Sequence, residues 1–262
     1  MFFFTRCIYP LSLRARVTCK LYDLFQNVHD KNISLEFNKQ VKLDVSKTDY
    51  GHKSIIFNGF YELDLTRDII KLAEKGGLLI DVGANYGYYT CLWAAQKPGN
   101  KAIAFEASPG VLAPLKNNVT KNNLQNNVTI VATAAGKENG ILKFSLGGDA
   151  EQTSWAGFTI MEDAGAVEVP VITLDGYALE NGIETIDVLK IDTEGADTWV
   201  LFGAKKLLQQ KRIHHIFYEH NTHRMGLLNI GPNEAADFLK SVGYTVEKYF
   251  GNDFYAYPNP SV

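Results

Sequence analysis

Cysteine is scarce in this chain: Cys7, Cys19 and Cys91 are three residues among 262. They form no CxxC pair and no even set at short spacing, which excludes a disulfide framework and makes a reducing compartment, the cytoplasm, the expected location. A surplus of positive charge is also missing. With 26 Lys and Arg against 29 Asp and Glu, the net charge is -3, too little basic field to grip duplex nucleic acid through many phosphates. Small-molecule chemistry, with no nucleic-acid partner, is expected instead. Long apolar runs are lacking as well. Arg6, Pro10, Arg14 and Arg16 break every early window long enough for a signal peptide, and no later stretch approaches the ~20 apolar residues of a membrane span. Composition does not lean toward disorder or collagen, since 46% of residues are hydrophobic and 21% charged. A chain of this length buries roughly 70–75% of its unfolded surface and needs no disulfide or structural metal.

The first 22 residues carry Arg6, Arg14, Arg16 and Lys20 with no acid before Asp23, interspersed with Phe, Ile, Leu and Val. This reads as a helix whose apolar face packs on the main body, or as a segment making peripheral contact with an anionic membrane. Residues 34–45 alternate apolar and polar about a turn, as a small hairpin does. Residues 1–62 are therefore expected to form an appendage packed on a core of residues 63–262. In that core, Leu65, Ile69, Ile70, Leu72 and Ala73 recur at helical spacing until Gly76-Gly77. Buried-strand runs follow at Leu78–Val82, Ala102–Phe105, Val128–Ala132, Ile186–Ile191 and Ile213–Tyr218, with helical stretches at about 87–96, 110–122 and 196–209. Alternation of this kind specifies a parallel α/β sheet covered on both faces. Tyr244–Phe250 and Phe254–Tyr257 flank a Gly251-Asn252-Asp253 turn and read as a terminal antiparallel hairpin. The expected fold is a mostly parallel seven-stranded sheet of the class I methyltransferase kind, a Rossmann-like arrangement, with helices on both faces.

The first strand runs into Asp81-Val-Gly83-Ala84-Asn85-Tyr-Gly87. Two glycines permit a tight strand-to-helix turn and let a ligand approach the backbone. A dinucleotide site calls for G-x-G-x-x-G; this loop is G-x-x-x-G, and its preceding Asp81 would repel a pyrophosphate while accepting hydrogen bonds from an ammonium group. Glu106 ends the second strand, 19 residues beyond Gly87, where a carboxylate can accept two hydrogen bonds from a ribose diol. The small residues Ala132–Gly136 after the third strand leave room for a flat adenine.

These segments, LLIDVGANYGYYT, AIAFEASP, NNVTIVATAAGKENG, VEVPVITLDGY and DVLKIDTEGADTWVLFGA, together resemble the FkbM family of S-adenosylmethionine-dependent methyltransferases over roughly residues 55–222. The resemblance implies methyl transfer from S-adenosylmethionine to a hydroxyl of a sugar, glycolipid or natural product, with Asp81, Gly83, Ala84, Asn85, Gly87, Glu106 and Asp192 at the cofactor. The chain departs from the family's E-P-N-P at Glu106-Ala-Ser-Pro109, and from its I-D-V-E-G-x-E at Asp197, which stands for the second glutamate.

Ligands of open α/β sheets bind beyond the carboxyl ends of the strands. Asp192 and Glu194 follow the fourth strand; Glu219, His220 and His223 follow the fifth. His220 titrates near neutral pH by default and is the expected base, with Asp192 orienting the acceptor or the donor. Asp192, Glu219 and Asn221 could alternatively hold Mg²⁺ against a vicinal diol. His214-His215 lie inside a strand, face opposite ways and cannot share an ion. Residues 147–158, with Trp155 and Phe158, form a candidate lid. An NAD-dependent oxidoreductase and a non-catalytic cofactor-binding protein are the alternatives.

Overall fold

The computed structural model describes residues 3–22, 28–145, 157–159 and 166–260. Its centre is a seven-stranded sheet whose strands, in chain order, are β1 (Leu78–Val82), β2 (Lys101–Phe105), β3 (Val128–Val131), β4 (Ile186–Ile191), β5 (Ile213–Glu219), β6 (Tyr244–Lys248) and β7 (Asp253–Pro258). Their spatial order is β3-β2-β1-β4-β5-β7-β6; the first five are parallel, and β7 runs antiparallel to both β5 and β6. The order reverses between β1 and β4, so a crevice opens there at the carboxyl ends of the strands.

Two-residue periodicity sends alternate side chains to two separate cores. Leu79, Ala102, Val188 and Phe217 join one cluster, and Ile80, Ile103, Leu189 and Ile216 the other. The helices Leu63–Lys75 and Tyr88–Gln96 cover the first face with Ile69, Ala73, Leu92 and Trp93, and the helices Leu174–Glu180 and Glu234–Ser241 contribute Leu174, Ala178, Ala235 and Leu239 to the second. One helix expected over 196–209 is two, Asp197–Phe202 and Lys205–Gln209. At the break, a Cβ on Gly203 would lie 2.0 Å from the Gly136 carbonyl oxygen, so the two backbones meet where a side chain cannot fit. Periodicity hid the break because Val200, Leu201, Leu207 and Leu208 are all buried across it.

The amino-terminal segment is attached chiefly by buried arginine. In the helix Leu11–Thr18, Arg14 is fully buried; it donates to the carbonyls of Arg6, Ile8 and Asn58 and pairs with Glu36 at 2.7 Å. Arg6 donates to the carbonyls of Ser34, Ile55 and Ile56. Two of the four cations that the membrane alternative would turn outward therefore point into the protein. Apolar docking is partial: Leu11 and Ala15 pack inward, while Leu13 and Val17 stay exposed. The hairpin is the short pair Ile33–Ser34 and Lys42–Leu43. A further helix, Tyr50–Asn58, begins at Asp49, whose side chain accepts from the His52 amide. Leu35, Leu43, Ile56 and Phe60 belong to the same cluster as Leu79 and Leu92, so this segment has no separate core.

Between β3 and β4 lies a four-stranded sheet of Ala134–Ala135, Val167–Ile172, Gly140–Ser145 and Gly157–Phe158. Of the candidate lid, only Gly157 and Phe158 are described; Trp155 lies outside the described residues. Among the described residues, no helix is long and apolar enough to cross a membrane.

Candidate functional site

A cavity lies over the carboxyl ends of β1, β2, β4 and β5, lined by residues 82–86, Glu106, Ala107, residues 133–135, Lys190 to Glu194, Phe217 to Glu219 and Asp253. The segment before β1 closes one side with Gly51, His52, Ile55, Tyr61 and Glu62, and Phe144 and Phe158 of the four-stranded sheet also line it.

The glycine loop is shaped by close packing against β4. Gly83 has φ +79, and a Cβ there would fall 1.8 Å from the Asp192 carbonyl oxygen. The Gly83 and Ala84 amides both donate to the Phe105 carbonyl at 3.0 Å, and Gly87, φ +84, precedes the helix Tyr88–Gln96. Glu106 bridges loop and strand: Oε2 accepts from the Asn85 amide and Oε1 from the Ser108 amide, each at 2.8 Å. Burial raises its pKa while these two bonds oppose the rise. Each carboxylate oxygen keeps a second lone pair for a ligand hydroxyl.

Asp81 does not line the cavity. It is buried beneath it, with Oδ2 accepting from the Thr90 hydroxyl at 2.6 Å and Oδ1 without a hydrogen-bond partner, 3.7 Å from Lys190 Nζ. Lys190 is itself buried, 3.2 Å from Asp192 Oδ2 and over the Tyr89 ring. Burial works to discharge it, but Asp192, Asp81 and Glu62 prevail and hold its pKa above the ordinary lysine value.

Around the Lys190 ammonium the carboxyl groups crowd. Oxygens of Asp192, Glu194 and Glu219 lie within 4.8 Å of one another. Burial first and the Asp192 charge second push Glu219 up to about 9 and Glu194 to about 7. The same two causes, in that order, bring Glu62 to about 7 and Asp253 to about 6. Asn221 Nδ2 donates to Glu194 at 3.2 Å, and Glu194 has φ +53, a left-handed backbone for a non-glycine residue. Asp197 is absent from the cavity wall: Oδ2 accepts from the Thr193 hydroxyl at 2.7 Å and Oδ1 from the Glu219 amide at 3.0 Å, which ties the ends of β4 and β5 together.

The structure does not bring His220 into the cavity. Its ring packs 5.4 Å from Phe254, and burial and Lys248 lower its pKa. His223 is not part of the lining either. His214 approaches Asp187 at 3.6 Å, whereas His215 Nδ1 meets the Tyr255 hydroxyl at 2.6 Å, on opposite sides of β5. Lys190, Glu62, His52 and Tyr61 are cavity residues that sequence reasoning missed. The signal for Lys190 was a lone cation between Leu189 and Ile191 in a strand that reads as buried; for the other three no local signal exists.

The raised carboxyl values fix the sign of the pH dependence. The folded protein holds protons that the unfolded chain, with carboxyl pKa near ~4, gives up. This stabilisation is complete below the unfolded values and is lost as pH rises through about 6, 7 and 9. Urea unfolding of the ligand-free protein should therefore give a stability that falls from pH 5 to pH 9, and a flat or rising profile would contradict the clustering of these acids.

The profile of one family, described as the methyltransferase FkbM domain, matches residues 81–246. The 2-O-methyltransferase NoeI of Sinorhizobium fredii (strain NBRC 101917 / NGR234) is 24% identical over 165 residues, 57% of this chain and 67% of that protein. The 31-O-demethyl-FK506 methyltransferase FkbM of Streptomyces tacrolimicus is 27% identical over 160 residues, 50% of this chain and 61% of that protein. The aligned stretch thus spans about two thirds of each relative or slightly less. Among solved structures, precorrin-6y C5,15-methyltransferase of Geobacter metallireducens GS-15 superposes with a TM-score of 0.44 at 14% identity, covering 74% of this chain and 88% of that one.

Proposed function

The chain belongs to the FkbM methyltransferase family, and we propose that it methylates a hydroxyl group of a sugar, glycolipid or natural-product acceptor in the cytoplasm. The observation that carries this reading is one cavity lined together by Gly83, Ala84 and Asn85 of the glycine loop, by Glu106 and by the carboxylates of Asp192, Glu194 and Glu219. Oxygen as the target is supported by the two relatives, whose names both record O-methylation. Tyr61, Tyr218, Phe144 and Phe158 offer apolar faces on which a sugar ring or macrocycle can rest.

S-adenosylmethionine supplies an electrophilic methyl group on a sulfonium. Gly83, Ala84 and Asn85 would give it backbone to lie against, Glu106 would accept from the ribose hydroxyls, and residues 133–135 would flank the adenine, all of them lining the cavity. Asp81 acts indirectly, by holding Lys190. Replacing Glu106 by alanine should weaken binding of S-adenosylhomocysteine by ~1.5–3 kcal/mol in calorimetry, the scale of a hydrogen bond to a charged group. Equal affinity would remove the ribose assignment, and tighter binding of NAD than of the methyl donor would replace the class by an oxidoreductase.

The acceptor hydroxyl must lie in line with the sulfur–methyl bond and give up its proton, so positioning comes first and a base second. We assign the base to Glu194: its carboxyl titrates at about 7 and lines the cavity, and a base works best near the operating pH. Asp192 is bound to Lys190 and serves as the fixed charge beside it. A divalent ion is a poor match for these three acids, because Lys190 already balances Asp192 at 3.2 Å and Glu219, raised to about 9, is protonated at neutral pH and offers no anionic ligand. Activity should accordingly persist in EDTA; its loss and restoration by Mg²⁺ would favour a metal held by Asp192, Glu194 and Glu219.

A further inference from the structure

We infer that Glu62, which lies outside the matched family segment, receives the ammonium group of the methionyl end of the cofactor. The inference rests on the reading that this cavity takes S-adenosylmethionine. An ammonium in a partly buried cavity needs a carboxylate within reach, and the sequence offered Asp81 for that purpose. Asp81 is beneath the wall rather than in it, with one oxygen on Thr90 and the other turned toward Lys190. Glu62 is in the wall. Its carboxylate accepts from the Tyr89 hydroxyl at 2.7 Å, and Tyr89 belongs to the helix that starts at the glycine loop. This places Glu62 at the glycine-loop and Lys190 end of the cavity, where the amino-acid part of the cofactor lies when Glu106 holds the ribose.

The backbone supports an assigned task for this side chain. Glu62 has φ +37 and ψ +76, the left-handed region that glycine and asparagine enter far more readily than glutamate. It precedes the helix Leu63–Lys75, yet its side chain makes no capping bond to that helix. The strained turn thus gains nothing locally from the carboxylate; its effect is to aim the group past Tyr89 into the cavity. Charge completes the case. Burial acts on Glu62 most strongly, then the charges of Asp192 and Asp253; Lys190 and the Tyr89 hydrogen bond oppose them without reversing the rise, so a cation supplied by the ligand would be welcome at this end.

The test is calorimetry on the full chain with two compounds: S-adenosylhomocysteine, and 5′-methylthioadenosine, which keeps adenine, ribose and sulfur but has no amino-acid end. Glu62→Gln should weaken S-adenosylhomocysteine about tenfold or more and leave 5′-methylthioadenosine unchanged. Glu62→Asn, whose residue suits the left-handed backbone, should behave the same way and guards against a glutamine variant that folds poorly. Neither variant should melt lower than the parent without ligand, because each removes a buried acid from a cluster of acids; a purely structural glutamate would lower the melting temperature. Unchanged affinity for S-adenosylhomocysteine, or an equal loss for both compounds, would overturn the inference. If the parent protein binds neither compound, the cofactor reading itself fails, an outcome distinct from either of these.

Discussion

Replacing Lys190 by methionine should destabilise the protein by about 3–5 kcal/mol at pH 8.5, the range for removing one partner of a buried ion pair. Methionine keeps much of the lysine's bulk against Tyr89, so the change isolates the charge. What remains is Asp81, buried with one oxygen already lacking a hydrogen-bond partner, beside Asp192 and Glu62 with no cation among them. The cost should shrink at pH 5.5. Burial raises the pKa of Asp81 and Glu62 and Lys190 opposes the rise, so, without the lysine, acid lets the variant neutralise these two while the parent gains less. Urea unfolding at the two pH values measures the difference, and Asp81→Asn introduced on top of Lys190→Met should recover part of the loss, because the two groups are 3.7 Å apart. A loss under ~1 kcal/mol at pH 8.5, the level of an exposed pair, would show that water reaches this lysine and that it does not organise the cavity.

The glycine loop and Glu106 were legible from sequence because strand, turn and carboxylate are all local: Leu78–Val82 leads straight into Gly83, and the Asn85 and Ser108 amides that grip Glu106 lie on the loops after β1 and β2. The parallel sheet and its closing antiparallel hairpin followed from the alternation of strands and helices and from the Gly251-Asn252-Asp253 turn, whereas the spatial order of the strands came from the structure. Assigning the base was harder. His220 and Glu219 are neighbours at the end of β5, and successive residues of a strand face opposite sides; once Glu219 faces the cavity, His220 turns to Phe254. Intrinsic titration favoured the histidine, while geometry favours the acid. Asp81 is a related case. Its spacing before Gly83 suggested direct contact with a ligand, but the residue that decides its neighbourhood, Lys190, is 109 positions later in the adjacent strand, paired to it by register. Glu62 was illegible for the same reason, since its place depends on a helix start and a tyrosine 27 residues away.

Glu194→Gln should lower kcat by ~10²–10⁴-fold, the usual contribution of a general base, with little change in cofactor affinity. The parent rate should rise with pH through about 7, the value to which burial and Asp192 bring this carboxyl, because only the ionised form can take the hydroxyl proton. That rise should be absent in the glutamine variant. Asp192→Asn then separates the roles. The Asp192 charge is the largest cause after burial of the raised Glu194 value, so its removal should move the rising limb to lower pH, whereas a base at Asp192 itself would lose the limb altogether. His220→Asn should leave both rate and profile nearly unchanged, since its ring does not line the cavity. If His220→Asn instead removes the rate while Glu194→Gln keeps it, the proton leaves by the other face of β5, and the acceptor must lie against Phe254 rather than among the carboxylates.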